Sequence, residues 1–233
     1  MKFTYNGTAS TAYDLIVEHR PAHTTPQKVI ETFSIPGRSG NLLYDTGAYE
    51  NVTVTYQVAY KGSVRTNAVN MAKWLYQPDY CELTDEYEPL YYRKAVFVSP
   101  LNVADILGVA GRANITFNCK PQRFLISGKS AITPAISSGD SVVNNYEDAL
   151  PIITVSGSGN GTLTVGDTTI TITGMTADIV IDSERQTAES GGQNANSLIS
   201  LSNGFPVLEN GSTVISWTGG ITGVQIIPNW WVL

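Results

Sequence analysis

Residues 51–60, Asn-Val-Thr-Val-Thr-Tyr-Gln-Val-Ala-Tyr, alternate without a break, and this alternation constrains the fold more tightly than anything else in the 233-residue chain. Val52, Val54, Tyr56, Val58 and Tyr60 lie on one side of an extended backbone, and Thr53, Thr55, Gln57 and Ala59 on the other. A repeat of two is the period of a strand with one buried face. Just ahead stands a turn, Pro36-Gly37-Arg38-Ser39-Gly40. Proline fixes φ and glycine tolerates positive φ, so the pair sets a tight bend. Phe33 and Ile35 flank the turn on one side, and Leu42, Leu43 and Tyr44 on the other. Apolar residues crowded around an exposed turn need a partner surface. The stretch Phe33, Ile35, Pro36, Gly37, Arg38, Ser39, Gly40, Leu42 and Leu43 therefore predicts an arm that packs on a neighbouring chain.

Further elements follow from the same reasoning. Short strands are expected at residues 2–5, 15–17 and 29–35, with residues 18–27, which hold His19, Pro21, His23 and Pro26, as loop. Residues 64–77 place Ala68, Val69, Ala72, Leu75 and Tyr76 on an apolar helical stripe, with Ser63 or Thr66 as cap and Pro78 as stop. Residues 81–84 and 91–98 read as a hairpin around an acidic turn, and 113–120 as a closing strand that faces Ile115, Phe117 and Cys119 inward. A weaker helical signal lies near residues 101–109. Beyond about residue 150 short strands are expected at 152–156, 162–165, 168–173, 178–182, 213–217 and 224–227, separated by Gly and Asn. That is the cadence of a β-sandwich.

Charge divides the chain near residue 126. Residues 1–125 carry 12 basic and 11 acidic side chains, and residues 126–233 carry 2 and 9. Such a shift predicts two domains, 1–125 and 126–233. Charged residues make up only 15% of the chain, against roughly 25% in ordinary soluble domains, which suits a protein that lives in an assembly. A net charge of −6 without a basic run argues against nucleic acid as a partner. The opening Met-Lys-Phe-Thr-Tyr-Asn-Gly turns polar at once, so no secretory leader is expected, and no apolar run reaches the ~18 residues of a membrane helix. Cys81 and Cys119 are expected as buried thiols rather than a disulfide.

Sites of chemistry are sparse. His19 and His23 are four apart, but Pro21 between them rules out the helix that would bring both to a metal. Asp182, Glu184 and Glu189 are adequately explained as turn and strand residues. Gly157-Ser158-Gly159-Asn160-Gly161 precedes a strand rather than a helix, so it offers phosphate no helix dipole. No nucleophile elbow, phosphate loop or Cys-x-x-Cys occurs. No enzyme and no cofactor or metal is expected. The Asn-x-Ser/Thr sequences at Asn6, Asn51, Asn114, Asn160 and Asn210 are expected as plain turn and strand residues. Trp217, Trp230 and Trp231 are candidates for stacking on sugar rings, although adjacent tryptophans in a strand point to opposite faces.

The order of these segments resembles the distal tail proteins of siphophages. In the first half the likeness rests on Ile35-Pro36-Gly37-Arg38-Ser39-Gly40, Trp74-Leu75, Tyr91-Tyr92-Arg93-Lys94-Ala95 and Lys120-Pro121. In the second it rests on Pro151-Ile152-Ile153-Thr154-Val155, Ile181-Asp182-Ser183-Glu184, Gly204-Phe205-Pro206-Val207-Leu208 and Ile227-Pro228-Asn229-Trp230-Trp231. The resemblance implies a mostly β chain: an N-terminal β-sandwich with one helix and an extended hairpin arm, then a C-terminal galectin-like β-sandwich. It implies a hexameric ring at the distal end of the tail tube, made in the bacterial cytoplasm for a virion or a prophage-encoded tail particle. Expected partners are further copies of the chain, the tail tube protein, the tail-associated fibre or lysin protein and a receptor-binding protein, with no nucleic acid and no membrane. The alternatives are a carbohydrate-binding module for host cell-surface glycans and, less in keeping with the residues, a β-sandwich hydrolase.

Overall fold

The computed structural model of the chain describes residues 1–61, 64–101, 103–106, 110–133 and 138–233. The chain folds mostly as strands in two compact units, Met1–Arg123 with Leu233, and Phe124–Val232.

Unit one begins with β1 (Phe3–Tyr5), β2 (Thr8–Ala9) and β3 (Leu15–His19). A separate hairpin follows, β4 (Lys28–Ser34) and β5 (Asn41–Tyr49). Next come β6 (Val52–Lys61), helix α1 (Val64–Leu75), β7 (Cys81–Asp85), β8 (Tyr91–Phe97), β9 (Val103–Ile106) and β10 (Ala110–Leu125). Main-sheet order is β2-β1-β7-β8-β10-β6-β3, with β9 also on β10. Neighbouring strands lie about 4.8 Å apart, so a flat sheet would hold β1 far from β6. Yet the Phe3 and Tyr56 rings stack at 4.6 Å. The sheet therefore curls over its own core. The inward residues of β6 and β10 are buried as the alternation requires, including Val58, Ile115, Phe117 and Cys119 at zero exposure.

Helix α1 covers this core with only part of the expected stripe: Ala68 and Leu75 pack into it, but the helix is rotated away from Val69 and Tyr76. Met71, Trp74 and Leu75 are buried, whereas Val69 and Tyr76 are exposed. Trp74 decides the rotation: it stacks on Phe3 and Tyr13 at 5.7 and 4.7 Å, and its indole N–H donates to the Tyr5 carbonyl at 2.9 Å. A large aromatic ring offers more apolar area to bury than Val69 does. The helix ends at Leu75, two residues before the expected Gln77. The proposed cap Ser63 lies outside the described residues. The helical signal near 101–109 is overturned: residues 103–106 form β9 against β10, and 107–109 lie outside the described residues.

Unit two contains β11 (Ser138–Asn144), β12 (Ile152–Val165), β13 (Thr168–Met175), β14 (Ile179–Asp182), β15 (Thr187–Ser190), β16 (Gln193–Asn194), β17 (Ile199–Leu201), β18 (Gly211–Ile227) and β19 (Trp231–Val232). Its sheet order is β11-β18-β12-β14-β15-β16, with β13 branching from β12 and β17 pairing with β13. The expected short strands at 152–156 and 162–165 are one continuous strand, and so are those at 213–217 and 224–227. The glycines between them do not end the strands; they bend them. The β12–β18 register shifts around Gly157 and Gly161. A Cβ on Gly157 would lie 2.2 Å from the Gly220 carbonyl oxygen, and one on Gly220 would lie 1.8 Å from that of Ser158. Only glycines allow the two backbones to meet so closely. Either side of this crossing the strands bury alternate residues: Ile153, Val155, Val224 and Ile226 on one side, Leu163, Val165, Ile215 and Trp217 on the other.

Candidate functional site

The hairpin β4–β5 forms a sheet of its own within unit one. Every residue from 30 to 48 is exposed, and among the described residues the two strands pair only with each other. The turn at its tip forms as proline and glycine dictate: Pro36 and Gly37 are its central residues, Gly37 has φ +80°, and the Arg38 N–H donates to the Ile35 carbonyl at 3.1 Å. Gly40 also has positive φ, +84°. Arg38 is exposed at the tip. Nine residues of β5 at about 3.3 Å each give the arm a reach of roughly 30 Å.

Its root is built more firmly than its tip. The register shifts between Lys28 and Ile30, where Thr46-Gly47-Ala48 bulges from β5. The Thr46 hydroxyl donates to the Val29 carbonyl at 2.8 Å, and the Gly47 N–H donates to Asp45 Oδ1 at 2.9 Å. Lys28 Nζ pairs with the Asp45 carboxylate. The Lys28 ammonium holds the Asp45 carboxyl below its usual range, and the carboxylate raises Lys28 in turn. A further bond, from the Glu50 N–H to the Gln27 carbonyl at 2.8 Å, closes the base.

Residues 20–27, which lead into the arm, form a strap across the unit. Arg20 stacks over the Tyr87 ring at 5.5 Å, and His23 Nδ1 lies 3.4 Å from Glu88. Glu88 also meets Arg123 at 3.1 Å and Arg93 at 3.8 Å. A cavity of about 370 Å³ lies against the strap, lined in part by Arg20, Tyr56, Asp85 and Tyr91. Asp85 is fully engaged: it accepts from the Tyr56 hydroxyl at 2.6 Å and from the N–H groups of Tyr87 and Glu88 at 2.9 Å each. Burial, then the Asp85 charge, raises the Tyr56 hydroxyl, so it stays a donor.

The remaining candidates behave as ordinary structure. His19 ends β3 and His23 sits on the strap, and among the described residues no group of three or more His, Cys, Asp or Glu is placed to hold a metal. Asp182 accepts from the Arg185 N–H at 3.0 Å in a turn, while Glu189 lies on β15 opposite Val180. Both cysteines are free; burial pushes the Cys119 thiol up to about 12, and Cys81 is half-buried. Two of the proposed sugar-stacking residues, Trp217 and Trp230, are buried. Trp217 pairs with fully buried Leu163 and so shares its inward face, and Trp230 is packed against Gly128 with its carbonyl accepting from the Leu125 N–H at 2.8 Å. Neither offers a ring face to a sugar. Trp231 is half-buried, its indole N–H given to the Asp148 carbonyl at 2.9 Å.

Residues 10–119, which hold the arm and most of the curled sheet, match the family model described as the phage tail protein RIFT-related domain. Across its whole length the chain has the fold of the Dit (gp 19.1) protein of SPP1, described as a paradigm of the hub adsorption apparatus in phages that infect Gram-positive bacteria. The TM-score is 0.76 at 14% identity, covering 100% of this chain and 99% of that one. No curated protein matches the chain by sequence. The family model and the shared fold bear out the resemblance to siphophage distal tail proteins. Neither match is to an enzyme.

Proposed function

We propose that this chain is a structural hub of a siphophage tail, forming a hexameric ring at the distal end of the tail tube. The ring joins the tube protein above to the tail-associated fibre or lysin protein, and through it the receptor-binding protein, below. Unit one builds the ring and its arm, residues 33–43 above all, clasps the next subunit. The observation that carries this reading is the arm itself: nineteen consecutive exposed residues that include Ile30, Phe33, Leu42, Leu43 and Tyr44. A soluble monomer does not maintain such a surface, and a cyclic head-to-tail contact covers one arm per subunit without leaving ends. Unit two is a galectin-like sandwich that faces the adhesion apparatus. Its acidic excess disfavours phosphate-rich wall polymers, so attachment runs through another protein.

Electron microscopy and native mass measurement of the purified protein test the reading together. Rings of six chains are expected, and deletion of residues 35–43 should leave a folded monomer. A parent that stays monomeric at high concentration, or a deletion variant that assembles like the parent, would overturn it.

A further inference from the structure

Asparagine followed by glycine occurs four times in the chain, at Asn6-Gly7, Asn160-Gly161, Asn203-Gly204 and Asn210-Gly211. The pair has a chemistry of its own. Glycine has no Cβ, so its backbone nitrogen can approach the asparagine side-chain carbonyl carbon without hindrance. Attack requires both residues to turn out of the conformation the fold imposes, and three of the four pairs are held against it. Asn160 and Gly161 lie within β12: Asn160 Oδ1 accepts from the Gly174 N–H at 2.8 Å, and Gly161 pairs with Ile172 on one side and Gly219 on the other. The Asn210 side-chain amide donates to the Tyr146 carbonyl at 2.7 Å, its backbone N–H donates to Asp148 Oδ1 at 2.9 Å, and Gly211 pairs with Asn144. Asn6 and Gly7 are the two-residue turn between β1 and β2. Both have positive φ, Tyr5 pairs with Thr8 across them, and the Asn6 N–H donates to the Glu82 carbonyl at 3.0 Å.

Asn203-Gly204 differs from all three. Both residues are exposed, and among the described residues no hydrogen bond or ion pair holds either of them. Gly204 has φ +71°, and a Cβ built there would meet nothing within 4 Å, so the space the reaction needs is open. The chain is fixed just outside the pair instead. The Ser202 N–H donates to the Thr169 carbonyl at 3.0 Å, the Ser202 hydroxyl accepts from the Thr169 N–H at 2.9 Å, and Leu208 exchanges backbone bonds with Ala149. We infer that Asn203-Gly204 is a self-modification site of the folded protein, converted without an enzyme to aspartate and isoaspartate. The Gly204 nitrogen forms a bond to Asn203 Cγ, the Cγ–Nδ2 bond breaks, and ammonia leaves with the proton that the nitrogen gives up. Water then opens the resulting succinimide at either carbonyl. The net change is water in and ammonia out, with no oxidant or reductant. Each conversion adds one negative charge to residues 126–233, which already hold 9 acidic and 2 basic side chains. Isoaspartate also lengthens the backbone, and the anchors at Ser202 and Leu208 confine that change to the segment between them.

Peptide mapping by mass spectrometry follows all four pairs at once. The intact purified chain is held at mildly alkaline pH, because the attacking nitrogen must lose its proton, and is sampled over time. Asn203 should convert about ten-fold or more faster than Asn6, Asn160 and Asn210, because those three must first open local structure. In denaturant the four should convert at similar rates, since the chemical pair is the same and only the fold distinguishes them. Isoelectric focusing of the folded sample should show one acidic step before any second. Gly204→Ala leaves the asparagine in place and crowds the attacking nitrogen, so it should slow conversion at Asn203 about ten-fold or more. The inference is overturned if Asn203 converts no faster than the other three in the folded chain, if it leads them by the same factor in denaturant, or if Gly204→Ala converts like the parent.

Discussion

Replacing Gly220 by alanine should damage unit two severely, while the same change three residues on, at Gly223, should be harmless. Both glycines lie on β18, and at neither is the backbone in the left-handed region, so alanine is conformationally acceptable at both. They differ only in space. A Cβ at Gly220 would stand 1.8 Å from the Ser158 carbonyl oxygen and 3.0 Å from its carbon; at Gly223 nothing lies within 4 Å. The obstructing atoms are backbone and cannot rotate away, so the β12–β18 crossing must open. Overpacking costs about 1–3 kcal/mol, and a backbone clash this close belongs at the upper end. About 3 kcal/mol in a unit of this size lowers its melting temperature by roughly 10–15 °C. Gly223→Ala should be neutral or stabilise by about 0.5 kcal/mol, because alanine loses less entropy in a strand. Calorimetry of the intact chain measures both, and tryptophan fluorescence assigns the transition, since Trp217, Trp230 and Trp231 lie in unit two and Trp74 in unit one. The reasoning fails if Gly220→Ala melts with the parent, or if Gly223→Ala falls as far.

If the arm clasps the next subunit as proposed, Arg38→Ala removes five guanidinium donors from its tip and should raise the concentration at half-assembly several-fold without moving the melting temperature of the monomer; sedimentation across a dilution series reads this, and an unchanged midpoint refutes it. Tyr56→Phe removes a bond to the Asp85 carboxylate inside unit one and should cost about 1.5–3 kcal/mol, read by thermal unfolding; no loss of stability would show that the bond contributes nothing. The Asp45 carboxyl should titrate below the ordinary value of about 3.9, and its pairing with Lys28 should be complete above that value and lost as pH falls through the lowered one. Carboxyl NMR at low salt measures it, and an ordinary midpoint would mean the pair is not formed in solution.

The parts of this fold that are legible in the sequence are those where one physical demand acts alone. In β6 burial of one face is the only demand, and the alternation of Val52, Val54, Tyr56, Val58 and Tyr60 reports it directly. The tip of the arm is legible because Pro36-Gly37 encodes a turn through its own dihedral preferences. Where two demands compete, local reading fails. Val69 and Tyr76 are apolar and helically spaced, but the ring of Trp74 finds Phe3 and Tyr13, which lie far away in the chain, and the helix turns to suit it. The glycines of residues 157–161 and 219–223 read as turns because glycine usually ends a strand. Here they serve a close approach that only the partner strand reveals. β11 is hidden in a segment rich in Gly, Ser and Asn, and pairs through β18 rather than through its own apolar content. The apolar residues of the arm are plain in the sequence; their pairing across the hairpin follows from the turn at the tip, and the bulge at Thr46-Gly47-Ala48 shifts the register only at the root.

That bulge also bears on how the arm could act within a tail. Between the end of β5 at Tyr49 and the start of β6 at Val52 there are only two residues, Glu50 and Asn51. Both are tied down: the Glu50 N–H donates to the Gln27 carbonyl at 2.8 Å, and the Asn51 amide donates to the Tyr80 hydroxyl at 2.7 Å. The arm therefore continues into β6 without a hinge of its own length. β6 lies between β10 and β3 and carries Tyr56, which touches the aromatic core through Phe3 and the strap cavity through Asp85. A load applied to the arm by a neighbouring subunit thus enters the sheet along a strand whose inward side chains are almost wholly buried. On its other strand the arm joins the strap, held by Arg20 on Tyr87 and His23 on Glu88, contacts that are exposed and weaker. Displacement of the arm should accordingly loosen residues 20–27 before it disturbs β6 and the main sheet of unit one.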